Sequence, residues 1–122
     1  MQRKFRLTRS NDYRRVRRQG KSYAHPLVVL VTLPNEQPVV RVGLAASHSL
    51  GHAVDRNRAK RRLRAVMQEE VPGMKPGWDV VLLARKPLLE ADFRQLCGVV
   101  HHLLARAGLL EIPVNDRTRL SE

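Results

Sequence analysis

The chain is predicted to fold as a small α+β sandwich, with helices covering one face of a sheet and the other face left open. Three observations predict it. Two β-rich segments, 23–33 and 39–46, flank the turn residues Pro34-Asn35-Glu36 and read as an antiparallel hairpin. Two longer segments, 53–71 and 88–107, carry apolar residues at helical spacing. Between them, 79–84 is a short continuous apolar run of the kind that forms a buried strand. A length of 122 residues with 43% hydrophobic composition suits one packed domain. That domain is placed at residues 1–112, with a basic N-terminal arm, and the polar residues 113–122 are expected to form a disordered tail.

Residues 1–7 make up the arm and include Phe5 and Leu7. Thr8 or Ser10 can cap a short helix running to about Gln19, which Gly20 ends. Tyr13 and Val16 give this arginine-rich helix a single apolar edge, so the core should gain little from it. After the hairpin, a Gly/Ser/His segment (47–52) leads into a basic helix that Pro72-Gly73 stops. Arg85-Lys86-Pro87 ends the buried strand. The last helix repeats apolar residues at Leu89, Phe93, Leu96, Cys97, Val100, Leu103, Leu104 and Ala107; Glu90 and Asp92 suit its start and Gly108 its end.

Net charge is the strongest functional signal. Residues 1–25 carry nine basic and one acidic side chain (+8), residues 53–64 six and one (+5), and the remainder eight and nine (−1), giving the formal +12. Arginine supplies 18 of the 23 basic residues, which favours bidentate phosphate contacts. On the basic helix each residue advances about 100°, so Arg56, Asn57, Lys60, Arg61 and Arg64 share an arc of about 140° beside the apolar stripe Ala59, Leu63, Val66 and Met67. Arg58 and Arg62 point elsewhere. Asp55 is the only acid in 53–64 and sits at the helix start, so this is not the mixed-sign pattern of an ordinary solvated helix. A polyanion, RNA in particular, is the implied partner.

Other classes fit poorly. The basic segments lack the apolar face of an interfacial helix, and the run Leu27 to Val31 is too short to span a bilayer, so no membrane partner is expected and a cytoplasmic protein is. No apolar segment of signal-peptide type follows the basic start. The single cysteine, Cys97, falls on the apolar stripe of the last helix and reads as a core thiol. His48 and His52 have no metal-ligating companion, and His101 and His102 diverge on a helix, so no metal is expected on the protein itself. An open sheet face beside arginines would suit unpaired nucleic acid, with Tyr13 and Tyr23 as the available rings.

Arg41-Val42-Gly43-Leu44, Ser47, Gly51, Ala53-Val54 and Arg56-Asn57-Arg58-x-Lys60-Arg61-x-x-Arg64 closely resemble the RNR signature of the bacterial ribonuclease P protein subunit. Asp12-Tyr13-x-x-Val16, Gly20 and Ala84-Arg85-Lys86-Pro87 extend the resemblance over roughly residues 5–107. It implies an α/β sandwich with a mixed sheet and a left-handed βαβ crossover. It also implies a subunit of an endoribonuclease ribonucleoprotein that removes the 5′ leader of precursor tRNA. The partners are then a catalytic RNA and precursor tRNA, not DNA. The RNA would perform the hydrolysis and supply the Mg²⁺ sites, leaving no catalytic residues in the protein.

Carried over residue by residue, the resemblance makes Arg56, Asn57, Arg58, Lys60, Arg61 and Arg64 contacts to the catalytic RNA. A leader cleft would draw on Tyr13, Val16, Arg17, Tyr23, Val29, Val31 and Arg41. Arg17 and Val31 stand where many relatives place aromatics, which shifts the expected balance from stacking toward electrostatic holding. The main alternative is a ribosomal protein or RNA chaperone without a processing role. A helix-turn-helix DNA binder fits less well because no helix-turn unit precedes the basic helix, and a protein-only nuclease lacks a carboxylate cluster for two metals.

Overall fold

The computed structural model describes residues 6–7 and 10–111. Phe5, Thr8 and the expected tail lie outside them. Helix α1 spans Ser10–Gln19 and is followed by strands β1 (Lys21–Ala24), β2 (Val28–Pro34) and β3 (Val40–Ala46). Helix α2 (Ala53–Glu70), strand β4 (Trp78–Ala84) and helix α3 (Phe93–Arg106) complete the domain, and short 3₁₀ turns cover His48–Leu50, Val71–Gly73 and Lys86–Glu90.

The four strands form one mixed sheet in the order β1-β2-β4-β3. β2 is antiparallel to both β1 and β4, whereas β3 runs parallel to β4. The expected hairpin between 23–33 and 39–46 therefore does not form. The first segment is itself two strands, because His25-Pro26-Leu27 turns the chain so that Lys21–Ala24 pairs back on 29–32. β4 then inserts between β2 and β3, since Val80, Val81 and Leu82 are apolar on both faces and belong where both faces are covered. The loop from β2 to β3 straddles the entry to β4: the Asn35 amide donates to the Gly77 carbonyl at 2.8 Å, and the Gly77 amide to that of Val39 at 3.0 Å. α2 links the parallel pair β3 and β4, which makes β3–α2–β4 the βαβ unit of the fold.

One sheet face packs beneath α2 and α3. Val28, Leu30, Val42, Val80 and Leu82 meet Ala59, Leu63, Val66 and Met67 of α2, together with Leu96, Val100, Leu103 and Leu104 of α3. The stripes expected on both helices thus face the core. Leu88 and Leu89 precede α3 in a 3₁₀ turn instead of opening it, because Pro87 and the helix start at Asp92 divide the segment. Phe93 stays 39% exposed at the helix tip. Cys97 is half-buried against the core, and burial, with the charges of Glu69 and Glu70, pushes its thiol up.

The opposite face is not wholly open, which corrects the expectation for α1. Register places three rows across it: Leu33, Asp79 and Arg41; Val31, Val81 and Gly43; Val29, Leu83 and Ala45. α1 covers the first two rows. Val16 is fully buried with Leu7, Val31 and Val81 in a second core. Tyr13 lies over Gly43, where an added Cβ would come within 2.8 Å of the ring, so only glycine admits this approach. Its hydroxyl accepts from the Leu44 amide at 3.0 Å and donates to the Leu44 carbonyl at 3.2 Å, while the Leu7 amide donates to the Val42 carbonyl at 2.9 Å. Together these satisfy the outer edge of β3 at Val42 and Leu44, which would otherwise present unpaired backbone.

Asp79 in the first row is completely buried. Its Oδ1 accepts from Asn35 Nδ2 at 2.7 Å and Arg41 Nε at 2.8 Å; its Oδ2 accepts from the Arg15 guanidinium at 2.6 Å and the second Arg41 nitrogen at 2.8 Å. Burial alone would push this carboxyl up, but the hydrogen bonds from Arg41 and Asn35 and the charge of Arg41 outweigh it and hold the group below its ordinary value. The stabilisation is therefore fully present above the unfolded-state value near 3.8 and is lost as pH falls through the lower folded-state value. Removing one partner of such a buried pair costs about 3 kcal/mol. Urea unfolding of Asp79→Asn at pH 7 should show a loss of that size, with a shallower decline than wild type on acidification below pH 4; near wild-type stability would refute this account of the network.

Candidate nucleic-acid interface

The third row of the α1 face, Val29, Leu83 and Ala45, is only half-buried and floors a cleft of about 530 Å³. Arg17 projects into it from the end of α1, and Arg85, Lys86 and Pro87 form the wall at the end of β4. Ala46, Ser47 and Ser49 close the side nearest α2. The cleft therefore combines an apolar floor with cations on two sides, which suits an unpaired strand whose bases lie inward and whose phosphates meet the rim. Among the described residues no aromatic ring lines it.

A second basic surface lies on α2. Asn57 and Arg61 are exposed, and Lys60 and Arg64 are half-buried beside them, as the angular arithmetic predicts. Lys60 and Arg64 meet Arg6, Tyr13, Val42 and Leu44 in a small recess of about 180 Å³ at the edge of β3. Tyr13 covers Gly43 and Leu44, the residues next to Ala45, and so stands between this recess and the cleft.

Helix α2 starts from a tightly held loop. Gly51 has φ +144°, and an added Cβ would lie 2.6 Å from an Asp55 carboxylate oxygen. Asp55 accepts from the His52 amide at 3.0 Å, satisfying a free donor at the helix start. The Arg56 guanidinium folds back to the Gly51 carbonyl at 2.9 Å, which draws it partly away from the exposed stripe. Arg58 leaves the stripe altogether, donating to the Leu89 carbonyl at 3.2 Å, and Arg62 takes the same side.

The residues expected in the leader cleft separate into groups. Arg17 and Val29 line it. Val16 and Val31, 0% and 3% exposed, are core residues because α1 presses them together, so they offer no surface to a ligand. Arg41 is bound to Asp79, two rows from the cleft floor. Tyr23 pairs with Leu30 in register and packs on the α2/α3 side, its ring 5.5 Å from the Lys21 ammonium and 5.8 Å from the Arg106 guanidinium. A strand reading that ran from Tyr23 to Leu33 without the break at Pro26 could not assign that face. Sequence reasoning passed over Arg85 and Lys86 as site residues, although Ala84-Arg85-Lys86-Pro87 belonged to the motif it recognised. It also passed over Asp79, whose partners are far apart in the chain. Among the described residues, no three His, Cys, Asp or Glu side chains gather into a metal-holding cluster, and no helix is long and apolar enough to cross a membrane.

The family model for ribonuclease P matches residues 1–108. This chain belongs to that family. Among its relatives, the ribonuclease P protein component of Roseiflexus castenholzii is 39% identical over 95% of this chain and 96% of that protein. The corresponding protein of Dehalococcoides mccartyi is 41% identical over 86% of each. The fold agrees with solved structures of RNase P proteins: that of Staphylococcus aureus matches with a TM-score of 0.78 and 28% identity, covering 88% of this chain and 98% of the other. That of Thermotoga maritima matches with a TM-score of 0.75 and 28% identity over 83% and 96%.

Because the Tyr13 hydroxyl serves the edge of β3, Tyr13→Phe should lower stability by about 1 kcal/mol, the net worth of a hydrogen bond of this type. Chemical unfolding measures it, and a variant as stable as wild type would show that water replaces the hydroxyl without loss.

Proposed function

We propose that this ribonuclease P protein uses two separate surfaces, holding the catalytic RNA with the exposed side of α2 and the 5′ leader of precursor tRNA in the cleft beside α1. Membership of the family makes it the protein subunit of an endoribonuclease of tRNA processing, and a ribosomal protein or RNA chaperone without that role is not favoured. The observation that carries the two-surface reading is the physical difference between them. The α2 stripe of Asn57, Lys60, Arg61 and Arg64 is polar and runs along the exposed side of a helix, as suits phosphates of a folded RNA. The cleft is concave, floored by apolar side chains and rimmed by Arg17, Arg85 and Lys86, as suits single-stranded nucleotides.

In this reading the protein binds and orients, while Mg²⁺-assisted hydrolysis takes place on the RNA. Arg17 on one side of the cleft and Arg85 and Lys86 on the other neutralise leader phosphates, and Val29 and Leu83 accept the faces of unpaired bases. With no aromatic ring among the described lining residues, the contacts these residues offer are mainly charge and apolar packing. Arg56 and Arg58 are committed to backbone carbonyls, so within the motif the burden of RNA contact falls on the other four residues.

Two double variants separate the surfaces. Lys60→Ala with Arg61→Ala should weaken binding to the catalytic RNA and reduce the salt dependence of log K by roughly 0.7–0.9 per lost phosphate contact. Arg17→Ala with Arg85→Ala should leave that slope unchanged and instead weaken holoenzyme binding of leader-bearing precursor relative to mature tRNA. Identical effects of the two pairs on both measurements would contradict the assignment.

A further inference from the structure

Arg62 lies on α2 but faces away from the exposed stripe. Its guanidinium donates to the Leu88 carbonyl at 2.5 Å and, through its other terminal nitrogen, to the Ala91 carbonyl. Arg58, one turn earlier, donates to the Leu89 carbonyl at 3.2 Å. All three acceptors belong to the 3₁₀ turn Lys86–Glu90 and the residue that follows it. This turn begins with Lys86 and Pro87, which with Arg85 make the basic wall of the cleft. A short 3₁₀ turn has poor hydrogen-bond geometry of its own: here the Ala91 amide reaches the Leu88 carbonyl at 3.2 Å, which leaves that oxygen a second lone pair to accept from Arg62. A planar fork carrying positive charge is well matched to two such carbonyls, and a lysine ammonium, as a point charge, is not.

We propose that Arg62 is a positioning residue for the substrate cleft: by clamping the 86–91 turn to α2 it sets where Arg85 and Lys86 stand opposite Arg17. It thereby joins the helix that holds the catalytic RNA to the wall that receives the leader, and it does so without touching RNA. The inference rests on the reading of the cleft as the leader site. The rest of the wall is attached at its other end, where the Arg85 amide donates to the Leu27 carbonyl at 3.0 Å, so loss of the clamp frees the turn without unravelling β4.

The test uses the holoenzyme carrying Arg62→Lys, which keeps the charge and loses the fork, beside Arg62→Met and Lys86→Ala. Three measurements are made: affinity for precursor tRNA across a series of leader lengths relative to mature tRNA, affinity for the catalytic RNA as a function of salt, and hydrogen exchange of the free protein. Both Arg62 variants should bind leader-bearing precursor several-fold more weakly, with mature tRNA binding and the salt slope for the catalytic RNA unchanged. The Leu88 and Ala91 amides should exchange faster in both. Retention of wild-type affinity by Arg62→Lys combined with a reduced salt slope in Arg62→Met would make Arg62 a phosphate contact and overturn the proposal. Faster exchange with no change in leader discrimination, while Lys86→Ala does lose discrimination, would make the clamp structural only and likewise overturn it. If Lys86→Ala also retains discrimination, the leader does not use this wall, and the proposal falls together with the reading of the cleft.

Discussion

Asp79 has no exposed surface, and its charge is held entirely by Arg41, Arg15 and Asn35. A lone buried carboxylate would be costly, so these partners have to stay in place for the domain to fold as it does. They come from three parts of the chain: α1, the loop between β2 and β3, and β3 itself. Through Arg15 the network fixes how far α1 lies along the sheet. That placement puts Val16 over Val31 and Val81, and Tyr13 over Gly43 and the edge of β3. It also leaves the last row, Val29, Leu83 and Ala45, half-exposed beside Arg17. The cleft is thus the part of the sheet that α1, held over the first two rows, covers only partly.

The same arrangement sorts the arginines. Arg15 and Arg41 are paired with Asp79 and, at 3.8 Å, with Asp12, and Arg56, Arg58 and Arg62 serve backbone carbonyls at the start of α2 and the wall of the cleft. Arg17, Arg61 and Arg85 are exposed, and Arg64 is half-exposed beside Lys60. Five of the 23 lysine and arginine side chains are therefore committed to groups of the protein itself. Arginine suits both uses, since its fork closes two carbonyls or two phosphate oxygens with the same geometry.

Features encoded by short spacing were legible in the sequence. The α2 stripe follows from about 100° per residue, and the separation of Lys60, Arg61 and Arg64 from Arg58 and Arg62 survives intact in the structure. Gly108, at φ +74°, ends the last helix as its position suggested. Features that depend on distant partners were not legible. β4 separates β2 from β3 only because its two-faced apolar run competes for the centre of the sheet. Tyr23 lies on the core side because β1 is a strand of its own, turned at Pro26. Arg41 looked like a ligand-binding cation because its partner Asp79 is 38 positions away. The family motif named the basic residues of α2 but did not distinguish those left on the exposed stripe from those bound to the protein's own carbonyls.

The central claim is that the two basic surfaces meet different RNAs, and proximity mapping in the assembled holoenzyme tests it most directly. With Cys97→Ser as background, a cysteine placed at Ser49 on the cleft side or at Arg61 on α2 carries a tethered hydroxyl-radical source. From position 49, scission should fall in the leader of precursor tRNA and shift as the leader is shortened. From position 61 it should fall in the catalytic RNA and ignore the leader. Scission of the catalytic RNA alone from both positions would contradict the account.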